Sequence, residues 1–125
     1  GTEDITAVSA DTLADSISVN LPSDDLRALR AATQTNGAYV AVEDSAILEA
    51  ITDLGQVGIF AEPAAAAAFA GMKKALLEGI ITPDDPVVIL STGSGLKDVE
   101  AAMQAAGQAP VIPPTLDAVK DLLKK

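Results

Sequence analysis

The sequence predicts an α/β fold of three layers, a small and mostly parallel sheet flanked by helices. Three observations carry that prediction. Short β-branched runs alternate with longer helical patterns, in the order helix, strand, helix, strand, helix, strand, helix, link, helix. The joins carry turn or cap residues: Asn36-Gly37, Gly55, Glu62-Pro63, Glu78-Gly79 and Gly107. The last predicted strand ends in a polar, glycine-containing loop, which is where open α/β sheets place their ligands. Alternation of this kind implies right-handed crossovers and parallel pairing.

Residues 1–22 form a lead-in that is extended or carries little pattern. Thr2, Glu3 and Asp4 are solvated, Ile17-Ser18-Val19 alternates as a short edge strand does, and Asn20-Leu21-Pro22 reads as a turn. The α/β portion runs from 23 to 125. Ser23 is a candidate N-cap, and Asp24 and Asp25 stand in the first turn, where carboxylates favour the positive helix end. Leu26, Leu29 and Thr33 share one face of this helix, and Arg27 and Arg30 fit its solvated side. Tyr39, Val40 and Val42 mark a strand over 38–42. Glu43, Asp44 and Ser45 open the next helix, whose apolar stripe is Ile47, Leu48, Ile51 and Leu54, with Gly55 as its stop. Paired acids also suit general acid–base work, but the start of a helix is the commoner setting for them.

Val57, Ile59 and Phe60 give a second strand over 57–60. Pro63 suits the first position of the helix that follows. The alanine run Ala64, Ala65, Ala66, Ala67, Ala68 is a strong helix former without bulk, so a neighbouring backbone or ligand can lie close. Thr82-Pro83-Asp84-Asp85-Pro86 turns into the central strand, Val87, Val88, Ile89 and Leu90, an apolar run suited to burial on both faces. The loop Ser91-Thr92-Gly93-Ser94-Gly95 then offers hydroxyls and two glycines. It lacks the third glycine of a dinucleotide fingerprint, where Asp98 stands, and the Gly-Lys-Ser/Thr ending of a P-loop. By itself it fits an ordinary strand–loop–helix joint equally well. Residues 96–106 read as helix with Val99 and Met103 inward, 109–114 as a proline-rich link, and Thr115 caps a last helix bearing Leu116, Val119, Leu122 and Leu123.

Composition excludes several chemistries. The chain of 125 residues has no Cys and no His. That removes disulfides, thiol nucleophiles, the Ser-His-Asp triad, and thiolate or imidazole metal sites, so no metal is expected. A formal charge of −10 repels phosphate backbones and anionic membranes, so neither nucleic acid nor membrane is an expected partner. The longest apolar stretch, residues 63–77, is interrupted by Lys73-Lys74 and falls short of the ~20 residues of a membrane span. A cytoplasmic location is the expectation. The chain opens on Gly1 rather than Met, as a processed product, a tag remnant or a fragment does.

Two motifs together carry a resemblance. Gly58-Ile59-Phe60-Ala61-Glu62-Pro63 with its alanines, followed by Thr92-Gly93-Ser94-Gly95-Leu96-Lys97-Asp98 and a Pro-Thr-Leu ending, resembles the carboxyl-terminal third of the threonine synthases. These belong to the tryptophan-synthase-β-like, fold-type-II group of pyridoxal-phosphate enzymes. The resemblance covers residues 12–123, and Ala65 departs from it where the family usually carries Ser or Gly.

The resemblance implies a fragment of a fold-type-II enzyme that makes L-threonine and phosphate from O-phospho-L-homoserine and water. Its cofactor would be pyridoxal 5′-phosphate. Thr92 would offer its hydroxyl to the pyridine nitrogen, Gly93 and Gly95 would let backbone pass close to the ring, Ser94 would lie in the same loop, and Glu62 would stand near the cofactor. The family's Schiff-base lysine would lie upstream, because Lys73, Lys74, Lys97, Lys120, Lys124 and Lys125 occur in other contexts. No catalytic residue is therefore expected within the chain, and the chain alone is expected to be inactive and to hold cofactor poorly. Its partners would be the upstream part of the same enzyme, a small-molecule substrate there, and a second copy in a homodimer. Two alternatives stay open: a serine or threonine dehydratase of the same group, and a free-standing α/β module that binds a small ligand or another protein.

Overall fold

The computed structural model describes residues 4–124, and its regular structure is helical. Five α-helices follow in order: α1 (Asp25–Gln34), α2 (Asp44–Gln56), α3 (Pro63–Leu77), α4 (Val99–Ala106) and α5 (Leu116–Leu123). Two short 3₁₀ turns, Asp15–Ile17 and Gly95–Lys97, precede α1 and α4.

The core forms where α2 packs on α3 and α4 packs on α2. The α2 stripe buries Ile47, Ala50, Ile51 and Leu54 against Ala65, Ala66 and Ala70 of α3. Ala14, Ala61 and Ala101 complete it. The alanine run thus does what its lack of bulk allows: α3 presents methyl groups, and the larger Ile and Leu side chains of α2 lie against its backbone. Polar ties lock the same pairings. Lys73 on α3 donates to Glu49 (2.6 Å) and Asp53 (2.8 Å) on α2. The Thr52 hydroxyl on α2 donates to the carbonyl of Ala105 on α4 at 3.1 Å. The two carboxylates push the Lys73 ammonium pKa above its ordinary 10.5, Asp53 through the stronger hydrogen bond and Glu49 through the next.

The lead-in is pinned rather than loose where it meets α2. Asp44, in the first turn of α2, accepts from the Thr12 hydroxyl (2.5 Å) and from the Leu13 backbone N–H (3.0 Å). Both of its carboxylate oxygens are engaged, and Ala14 is delivered into the core. That is a structural use of the acid, not a catalytic one.

The predicted sheet is absent among the described residues. The segments 38–42, 57–60 and 87–90 run without strand assignment, and no backbone hydrogen bond joins 38–42 or 87–90 to a neighbour. The single bridge, antiparallel, pairs Ala61 with Ser94, just past the ends of two predicted strands. Ile17, a predicted edge-strand residue, closes a 3₁₀ turn. The physical reason is that a strand satisfies its backbone only through a partner strand, whereas a helix satisfies its own. Apolar side chains meant for two covered faces stand exposed instead: Tyr39 at 69%, Val88 at 88% and Leu90 at 74%. Lys74 holds the first of these segments, donating to the Ala41 carbonyl at 2.7 Å.

Helix details also differ from the pattern. Asp24, not Ser23, precedes α1, and Gly55 lies inside α2, with the reversal made at Gly58 (φ 83°). In α4 the buried residue is Ala101, whereas Val99 and Met103 are exposed. Neither α1 nor α5 buries a residue, so their apolar stripes face outward.

Candidate functional site

The loop 91–98 and the segment 60–63 form one corner of the molecule, and the backbone joins them. The Glu62 N–H donates to the Gly93 carbonyl at 3.1 Å, and the Gly95 N–H donates to the Phe60 carbonyl at 2.9 Å. These bonds flank the Ala61–Ser94 bridge. The two sequence motifs are therefore neighbours in space.

Each side of the corner is shaped locally. On one side Pro63 stands at the start of α3, and Glu62 is extended (φ −73°, ψ 164°) at its N-cap. The Glu62 carbonyl accepts from the Ala66 N–H at 2.9 Å, while its carboxylate makes no capping bond. On the other side the Ser94 hydroxyl accepts from the Leu96 N–H at 3.3 Å, which sets the turn Gly95–Lys97. The Asp98 carboxylate accepts from the Ala101 N–H at 2.9 Å and caps α4.

Glu62 is the buried charged side chain of the described residues, only 7% exposed. Its carboxylate lies against Gly93: a Cβ there would fall 1.8 Å from Oε1 and 2.1 Å from Cδ. A Cβ on Gly95 would fall 2.3 Å from the Phe60 ring. Both glycines therefore have a packing reason within the chain, which the sequence could not reveal. Gly93 makes room for the Glu62 carboxylate, and Gly95 makes room for an aromatic ring.

The nearest cation to Glu62 is Lys97, with Nζ 3.9 Å from Oε2 and a side chain 66% exposed. A cavity of about 180 Å³ opens here, lined by Asp15, Ser16, Glu62, Lys97 and Asp98 among others. Thr92 is exposed next to Gly93, and its hydroxyl has no hydrogen-bond partner among the described residues. Of the predicted site residues, then, Glu62 and Gly93 touch, Ser94 and Gly95 hold the corner together, and Thr92 stands free at its rim. Sequence reasoning missed Lys97, whose place within the second motif was the available signal. It also missed Asp15 and Ser16, for which no signal exists. The other described lysines are elsewhere: Lys73 and Lys74 are engaged on α3, and Lys120 and Lys124 ride on or just beyond α5. Lys125 lies outside the described residues.

A corner that pairs a buried carboxylate with a free hydroxyl on a glycine-bearing loop suits a small polar ligand, and the family comparison says which class of protein carries it. The pyridoxal-phosphate dependent enzyme family matches residues 1–93, and the chain belongs to that family. Its curated relatives are threonine synthases. The chain is 40% identical over 116 residues to threonine synthase of Methanocaldococcus jannaschii, covering 92% of this chain and 29% of the relative. It is 33% identical over 114 residues to threonine synthase of Methanosarcina acetivorans, covering 90% and 28%. It is 38% identical over 105 residues to threonine synthase of Halalkalibacterium halodurans, covering 83% and 30%. The chain thus spans about three tenths of the length of these relatives.

The residues of the corner fit the family's cofactor, pyridoxal phosphate. Thr92 presents a hydroxyl with both donor and acceptor capacity unspent. Glu62 presents a carboxylate to which no group of the described residues donates a hydrogen bond. No helix of the described residues is long and apolar enough to cross a membrane.

Proposed function

We propose that the chain forms one wall of the cofactor site in a threonine synthase, an enzyme that converts O-phospho-L-homoserine and water to L-threonine and phosphate. The observation that carries this reading is the meeting of the two motifs: the Glu62–Gly93 and Gly95–Phe60 backbone bonds set the Glu62 carboxylate against Gly93, the residue that follows Thr92. The identity to threonine synthases over nine tenths of the chain supports the substrate.

When bound, pyridoxal phosphate supplies an electron sink for charge that develops on a substrate carbon. The chain's own residues tune and place it. The Thr92 hydroxyl would hold the ring of the group, offering a neutral donor to its nitrogen. A carboxylate in that position would instead hold a proton there and strengthen the sink. Ser94, through the bond to Leu96, keeps the loop turned so that Thr92 stays at the rim. Glu62 would accept a hydrogen bond from the bound group, and Gly93 leaves the space in which its carboxylate sits. Gly95 keeps the loop close to Phe60.

The remainder of the enzyme, including the lysine that holds the cofactor, and a small-molecule substrate are the proposed partners. A cytoplasmic location accompanies this reading. A second copy is a further proposed partner of the isolated chain, supported by the exposed faces of α1, α5 and residues 87–90. The test is phosphate release from O-phospho-L-homoserine. The full-length enzyme should release phosphate and threonine in equal amounts, and the chain alone should release none above background. Turnover by the chain alone, or none by the full-length enzyme, refutes the reading.

A further inference from the structure

We infer that Lys97 is a positioning residue: its ammonium, 3.9 Å from Oε2, holds the Glu62 carboxylate turned toward the bound cofactor. The inference rests on the functional reading above and adds a residue to it.

Glu62 is buried, yet no described group donates a hydrogen bond to its carboxylate. Its oxygens still reach solvent at the cavity, so the orientation of the carboxylate is set by charge and packing rather than by a donor. Asp15 and Asp98, which line the same cavity, carry the same sign and offer the carboxylate no partner. Asp98 is in addition committed to capping α4. Against this stand two positive features, the N-terminus of the fifteen-residue α3 and Lys97. Lys97 is the one that can choose an oxygen. Its Nζ lies 3.9 Å from Oε2, while Oε1 is the oxygen that crowds Gly93. The ammonium thus approaches one oxygen from the solvent side and leaves the other facing the glycine loop that carries Thr92.

The distance also exceeds hydrogen-bond range, so the attraction is that of charge rather than of a directed bond. The side chain is 66% exposed, so its aliphatic stem packs on little and its removal leaves no hole in the core. The turn that carries it is held by backbone and Ser94, not by the ammonium. A role for Lys97 in folding is therefore small, and a role acting through Glu62 can be read separately.

The test is a double-mutant cycle in the full-length enzyme, with Lys97→Met, Lys97→Arg, Glu62→Gln and Lys97→Met/Glu62→Gln. The readouts are the dissociation constant for pyridoxal phosphate, by fluorescence titration of cofactor-free enzyme, and the absorption band of the bound cofactor. Lys97→Met should weaken cofactor binding by about three- to tenfold, as expected for coupled neighbours. It should move the absorption band in the same direction as Glu62→Gln. Lys97→Arg should restore both. In the Glu62→Gln background the lysine change should do nothing further. If Glu62→Gln alters cofactor binding but Lys97→Met does not, or if the two effects simply add, the inference fails and the cofactor site stands. If Glu62→Gln leaves affinity and spectrum untouched, the cofactor reading of the corner fails, and the role of Lys97 with it. Thermal melts of the cofactor-free variants should coincide within a degree or two, which separates a loss of binding from a loss of fold.

Discussion

Gly93→Ala tests the geometry of the corner with a single methyl group. The added Cβ would fall 1.8 Å from Oε1, 2.1 Å from Cδ and 2.8 Å from Cγ of Glu62, so the carboxylate must leave its place. Gly93 has no positive φ, so the backbone accepts alanine and the whole cost lies in the displaced side chain. Overpacking a filled site costs about 1–3 kcal/mol. The lower half of that range applies, because Glu62 is a flexible side chain at the edge of a cavity rather than backbone. The cost should vanish when its cause is removed. In a Glu62→Ala background, Gly93→Ala should change stability by less than about 0.5 kcal/mol, which is the limit for independent sites. Urea unfolding of the four proteins measures all the terms. If Gly93→Ala costs the same with and without the Glu62 side chain, the clash lies elsewhere and the contact described here is wrong.

Two further outcomes are expected. Lys73 has its pKa raised by Asp53 and Glu49, so its contribution to stability is complete below pH 10.5 and is lost as pH rises through the folded value. Wild type should lose melting temperature above that pH, Lys73→Met should lose less, and equal alkaline losses in both would contradict the α2–α3 tie. The isolated chain should self-associate as concentration and salt rise, because exposed Val88, Leu90, Leu116 and Leu123 seek cover while a charge of −10 keeps copies apart at low salt. Sedimentation equilibrium showing a strict monomer at millimolar protein in high salt would refute it.

What the sequence made legible divides along a physical line. Helices whose signals are local came out close to where they were predicted. Pro63 does begin α3, Thr115 does cap α5 through the Ala118 N–H at 3.3 Å, and the stripe of α2 is the core. The fold class was wrong, because strand signals such as Val87, Val88, Ile89 and Leu90 describe a segment suited to a sheet, and a sheet needs neighbours that the described residues do not supply. The inward face of α4 was misread for a related reason. Val99 and Met103 are the larger apolar residues, but the face that α4 turns to the core carries Ala101 and, partly buried, Ala105. The corner was legible as two motifs and not as a contact. Nothing in the spacing of Glu62 and Gly93 announces that the carboxylate of the first motif lies against the glycine of the second. Lys97 reads from the sequence as a lysine outside the cofactor's context, and only its distance to Glu62 places it at the corner.

Whether the corner of Thr92 and Glu62 is a wall of the cofactor site is read from the absorption spectrum of Thr92→Val in the full-length holoenzyme. Valine keeps the size and β-branching of threonine and removes only the hydroxyl. Thr92 is exposed and makes no hydrogen bond among the described residues, so the fold has little to lose. Loss of one hydrogen bond to a shielded group costs about 1–3 kcal/mol. A wall of the site should show a shifted cofactor band and a cofactor affinity lowered by the corresponding factor of roughly 5 to 150, with the melting temperature of the cofactor-free protein unchanged. A spectrum and an affinity identical to wild type would contradict it and would take Thr92, and the wall it stands on, out of the site.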